Sequence, residues 1–123
     1  ITRFIIETIQ KGQIEHYGTG NEIRQYIYVK DVIKSAIDVI EKKYNKQKVI
    51  IIGDEAITIS NLMDNIISLL DSDINKIFNF NDYKIHYNSS PFDTNSDGAI
   101  HFDIESPTSI NDGLRQTILS IQN

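Results

Sequence analysis

Apolar residues recur along this 123-residue chain in two alternating rhythms. Phe4, Ile5 and Ile9, with Thr8 among them, fall three and four apart, which predicts a helix over residues 1–11 with those residues on one face. Gly12 follows, where a left-handed residue closes a helix at little steric cost. Gln13–Tyr17 then reads as a short strand and Ile23–Val29 as a second. Helical spacing returns at Val32, Ile33, Ala36, Ile37 and Ile40, with Asp31 placed as their N-cap. Lys34, Ser35, Asp38, Glu41 and Lys42 fall on the wet side of that helix.

Val49–Ile52 is an unbroken apolar run ending at Gly53, which suits a strand buried on both faces of a parallel sheet. Thr58 is positioned to cap a helix carrying Leu62, Met63, Ile66, Ile67 and Leu70. Ile74–Tyr87 holds one or two short strands, with Asn81-Asp82 as a turn signal. The stretch Asn88–Gly98 is polar and turn-rich. Ser109 and Asp112 resemble a capping box ahead of a last helix whose inner face is Ile110, Leu114, Ile118 and Ile121. Gly113 lies inside that helix, where glycine costs roughly 1 kcal/mol against alanine, and so predicts close packing. The alternation predicts an α/β fold, mixed α+β as an isolated fragment, with residues 1–123 as a single domain.

Composition narrows the function. Charged residues make up 24% and the net charge is −5, with no Lys/Arg cluster dense enough for a nucleic-acid face. Lys42, Lys43, Lys46 and Lys48 gather at a helix end, where cations complement the macrodipole. The absence of cysteine excludes disulfides, thiolate metal sites and cysteine nucleophiles. No apolar run approaches the ~20 residues that cross a bilayer, and no signal peptide is visible, so the expectation is a cytoplasmic protein without a membrane partner. His16, His86 and His101 lack metal-ligand spacing. Asp93-Thr94-Asn95-Ser96-Asp97-Gly98 matches the opening of a calcium-binding EF-hand loop, but the closing acid, Glu105, comes one place late and Ser90-Pro91 argues against an entering helix. The plainer reading is a polar loop with an Asp-Gly turn.

The most informative stretch is Tyr17-Gly18-Thr19-Gly20-Asn21-Glu22-Ile23-Arg24-Gln25-Tyr26-Ile27-Tyr28-Val29-Lys30-Asp31-Val32. A strand ends in a two-glycine turn, an arginine opens a β-prone run, and the run breaks at an aspartate. This order resembles the late signature of the extended short-chain dehydrogenase/reductase family, the NAD-dependent nucleotide-sugar epimerases and dehydratases, with Gln25 where Asp is usual. Ile1–Gly12, Val49–Gly53, Thr58–Leu62 and Ser106–Arg115 resemble further segments of that family in the same order.

The resemblance implies that Arg24 holds the diphosphate of a nucleotide-sugar and that Tyr17 lies against its base. A guanidinium fork matches two phosphate oxygens, and the glycines ahead of it let a ligand approach the backbone. The alternatives are an arginine paired with Glu22 or Asp31, and a tyrosine packed at a strand end. It also implies a C-terminal, substrate-binding piece whose N-terminal Rossmann domain is absent. No glycine-rich dinucleotide fingerprint is present, so the chain is expected to bind no cofactor, NAD being implied for the parent enzyme. The two Tyr-x-x-x-Lys matches, Tyr26 with Lys30 and Tyr44 with Lys48, fall outside the family's catalytic position, so no catalytic residue is assigned and the isolated chain is expected to be inactive. Ser89-Ser90-Pro91-Phe92-Asp93 stands where many members carry a second phosphate-gripping arginine. The other function on this scaffold is a non-enzymatic module that binds a nucleotide or a partner. Strands that pair with a cofactor domain in the family would be left with open edges here, which predicts self-association or rearrangement.

Overall fold

The computed structural model describes residues 1–42, 44–71, 73–80 and 98–123. In chain order the elements are α1 (Thr2–Lys11), β1 (Gln13–Tyr17), β2 (Ile23–Gln25), α2 (Val29–Glu41), β3 (Lys48–Ile50), β4 (Ala56–Thr58), α3 (Ile59–Leu70), β5 (Asn75–Asn79), β6 (Ala99–His101) and α4 (Ile110–Gln122). The mixed α/β class expected from the pattern is what these elements form.

Phe4 and Ile5 of α1, Ile14 of β1, Leu62, Met63 and Ile66 of α3, and Leu114 and Ile118 of α4 close into one core. Three helices therefore gather around a single strand pair. β1 runs parallel to β5, with Gln13 opposite Asn75 and Tyr17 opposite Asn79. Among the described residues the other strands form two separate pairs, β2 antiparallel to β4 and β3 parallel to β6. A sheet of two strands leaves an open edge on each side.

Local chemistry explains most of the boundaries. Gly12 ends α1 at φ 64° and ψ 20°, a left-handed cap whose N–H donates to the Thr8 carbonyl. The Thr58 hydroxyl accepts from Asn61 N–H and starts α3. At the start of α4, Ser109 Oγ accepts from Asp112 N–H at 3.1 Å and donates to the Asp112 carboxylate at 2.8 Å. This differs from a full capping box, since the acid meets the serine hydroxyl instead of its amide.

Several expectations need correction. The second strand stops at Gln25, not Val29, because its partner β4 is only three residues long. Asp31 is not the N-cap of α2. That place belongs to Tyr28, and Asp31, in the first turn, accepts from Thr108 N–H at 2.8 Å and Thr108 Oγ1 at 3.0 Å. The stripe of α2 faces outward: Val29, Ile33, Ile37 and Ile40 are exposed, Ile40 by 77%, while Ser35 is the buried residue of this helix. Periodicity reveals an apolar face but not what covers it. Ile9 is likewise exposed in α1. Finally, Val49 and Ile50 are only half-buried in a strand with one partner, not enclosed on both faces.

β5 occupies part of the Ile74–Tyr87 strand region. The Asn81-Asp82 turn, the Ser89–Asp93 segment, His86 and the Asp93–Asp97 part of the calcium-like loop lie outside the described residues.

Candidate functional site

The two-glycine turn joins β1 to β2 and is anchored from three sides. Gly18 N–H donates to the Asn79 carbonyl at 3.0 Å, which extends the β1–β5 ladder into the turn. Ser60 N–H donates to the Gly20 carbonyl at 2.8 Å, and Ile59 N–H to the Glu22 carbonyl at 3.0 Å. The first amides of α3, together with Asn61 N–H on Thr58, are thus used inside the protein. Gly20 sits at φ +80°, and a Cβ there would drive into the ring of Phe78.

Inside the turn lies a group that the sequence reading passed over. Glu22 Oε1 accepts from Thr19 N–H at 2.8 Å and from the Thr19 hydroxyl at 3.1 Å, while Oε2 meets His16 Nε2 at 3.1 Å. The two side chains are 2% and 8% exposed. Burial pushes the Glu22 carboxyl up, but Thr19 N–H, its own amide, the Thr19 hydroxyl and His16 outweigh it and bring it from 4.5 down to about 2. The sequence carried only a weak signal for it, an imidazole and a carboxylate on either side of two glycines, with no pattern to show that they meet.

Arg24 lies in the middle of β2, opposite Ile57, and is half-buried. One guanidinium N–H donates to the Ile23 carbonyl at 2.8 Å. Burial pushes the Tyr26 hydroxyl up, and the nearby Arg24 charge offsets part of that rise. The acids weighed as partners for Arg24 are engaged elsewhere, Glu22 by Thr19 and His16 and Asp31 by Thr108. Tyr17 ends β1 with 41% exposure, so it is not a core aromatic. Beside it, Asn79 donates to the Glu15 carboxylate. Tyr17 and Arg24 therefore flank one rigid turn.

An open groove of about 620 Å³ lies in a different place. Tyr26, Tyr28 and Lys30 form one wall, and Ser109, Gly113 and Gln116 part of the other. Tyr28 OH donates to Gln116 Oε1 across it at 3.0 Å. Neither Arg24 nor Tyr17 lines it. Among the described residues no group of three His, Asp or Glu side chains could hold a metal ion. No described helix is long and apolar enough to cross a membrane.

A dinucleotide pyrophosphate needs a glycine-rich loop leading into free helix amides. The starts of α2, α3 and α4 do not offer one. The amides of α3 are spent on Gly20, Glu22 and Thr58, α4 opens on Ser109, and α2 follows Tyr28 with no glycine ahead of it.

The segment that carries α1, the glycine turn, Arg24, α2 and the Gly53 corner has a recognisable counterpart. Residues 1–53 match the NAD dependent epimerase/dehydratase family. This is the family whose late signature the stretch from Tyr17 to Val32 resembles. Two solved structures share the fold of nearly the whole chain. One is UDP-glucuronic acid 4-epimerase from Bacillus cereus in complex with NAD, at 19% identity and TM-score 0.68. The other is UDP-N-acetylglucosamine 4-epimerase from Methanobrevibacter ruminantium M1 in complex with UDP-N-acetylmuramic acid, at 23% identity and TM-score 0.70. Each alignment covers 99% of this chain and 39% of the epimerase, so the chain spans well under half of either enzyme. At these identities the likeness to the two epimerases is one of fold. No curated protein matches the chain.

Proposed function

We propose that this chain is the substrate-side part of an NAD-dependent nucleotide-sugar epimerase or dehydratase, in which Arg24 grips the substrate diphosphate and Tyr17 lies beside the base. The observation that carries this reading is the placement of Arg24. It follows a turn fixed by α3 and β5, in the segment that matches the family. A guanidinium held on a short strand pair presents its fork in a defined direction, which is what bidentate phosphate recognition requires.

NAD supplies the hydride chemistry of such an enzyme, and in this reading it is held by residues outside this chain. The exposed stripe Val29, Ile33, Ile37 and Ile40 supports the same reading, because an apolar helix face of this length calls for a covering surface. We assign that surface to the dinucleotide-binding domain of the natural protein. The fragment alone is then inactive.

The test is UDP affinity of the full natural protein, measured by calorimetry. Charge-assisted hydrogen bonds contribute roughly 1.5–3 kcal/mol each, so Arg24→Ala should weaken UDP binding about tenfold or more while leaving the fold intact. Arg24→Lys should recover only part, because an ammonium keeps the charge and loses the fork. A folded Arg24→Ala protein that binds UDP like the parent rules the reading out.

A further inference from the structure

We infer that Glu22, gripped by His16 and Thr19, is a positioning residue for Arg24: the buried carboxylate locks the glycine turn from which β2 departs. The inference rests on the diphosphate reading for its functional consequence. The lock itself stands on geometry.

A buried carboxylate is costly unless its oxygens are satisfied, and here each oxygen has a donor. The arrangement leaves no room for a side chain at Gly18. A Cβ there would come within 2.5 Å of His16 Nε2 and 2.6 Å of Glu22 Oε1. The His16–Glu22 contact therefore requires glycine at this position. The same residue that presents its carboxylate to Thr19 presents its carbonyl to Ile59, so the lock joins the turn to α3 one residue before β2 begins.

Two aromatic rings flank the pair. Phe4 of α1 and Phe78 of β5 meet the imidazole edge-on, with centroids 6.2 and 6.4 Å away. The charges beyond them are Arg3, over the Phe4 ring at 5.8 Å, and Lys76, over the Phe78 ring at 5.6 Å. On the side of α3, Lys76 is drawn to Asp64 and to the Ser60 hydroxyl.

The sign of the pH dependence follows. The Glu22 carboxyl titrates lower in the fold than in the open chain, so its contribution is complete above 4.5 and is lost as pH falls toward about 2. Glutamine at this position keeps an acceptor oxygen for Thr19 and cannot titrate.

The experiment combines UDP calorimetry with hydrogen exchange at the Thr19 amide, on the full natural protein and its Glu22→Ala, Glu22→Gln and Arg24→Ala variants. Glu22→Ala should reduce both UDP affinity and Thr19 protection about tenfold. Glu22→Gln should restore most of the protection at neutral pH and abolish its fall between pH 4.5 and 2. Wild-type UDP affinity in Glu22→Ala, in a protein where Arg24→Ala has lost it, overturns the positioning role. If Arg24→Ala also keeps its affinity, the diphosphate reading has failed, and Thr19 exchange alone decides the lock. Unchanged protection in Glu22→Ala then overturns it. Should Glu22→Ala not fold, Glu22→Gln carries the test, and an acid-side loss of protection identical to wild type overturns the lock.

Discussion

Gly53 and Gly113 both look replaceable in the sequence, and their surroundings separate them. A Cβ on Gly53 would collide with the Tyr26 carbonyl, a backbone atom that no rotamer change can move aside. Gly53→Ala should therefore lower stability by at least about 2 kcal/mol, read from the urea-unfolding midpoint. A Cβ on Gly113 would lie 3.4 Å from Tyr28 Cδ2, an ordinary contact, so the close packing expected there is not present. Gly113→Ala should raise stability by up to about 1 kcal/mol in the same measurement, since alanine suits a helix interior better. At this scale the glycine turn was legible because Gly18 and Gly20 stand between two β-prone runs. The His16–Glu22 pair was not, because neither residue belongs to a periodic pattern and each finds its partner only once the turn has closed.

Among the elements, α1, β1, α3 and α4 were legible because each combines an apolar face with its own terminal signal, such as Gly12, Thr58 or Ser109. The start of α2 was not, because Asp31 has the chemistry of a cap and spends it on Thr108, far along the chain. The burial of α2 was misread for a related reason: its stripe is apolar, but the core of this chain lies elsewhere. An unpartnered stripe has a consequence for the isolated chain. Exposed isoleucines one helical turn apart favour association with a second copy, as do the open strand edges. Sedimentation of the isolated chain should show mass increasing with concentration, and Ile37→Glu, in the middle of the stripe, should shift it toward monomer.

For the molecule as a whole, the fold class and the likeness to the epimerase/dehydratase family were readable from the order of its motifs, and the partition of the described strands into three pairs was not, since pairing is a long-range property. The helix amides of α3 being consumed by the turn leads to a further expectation. Calorimetry of the isolated chain with NAD and with NADH should show no saturable binding at micromolar concentration, because the starts of α2, α3 and α4 offer no free amides behind a glycine-rich loop. Saturation at one site would contradict it.

The parallel pairing of β1 with β5 also sets an order of events during synthesis. Ile5 and Ile14 leave the ribosome well before Ile66 and Phe78, which help cover that corner of the core. Parallel strands reward the chain only after the long loop between them has closed, and that closure is slow. The glycine turn waits with them, since its anchors are Asn79, Ile59 and Ser60. The nascent chain therefore carries its most recognisable motif without the contacts that give it shape until α3 and β5 have emerged.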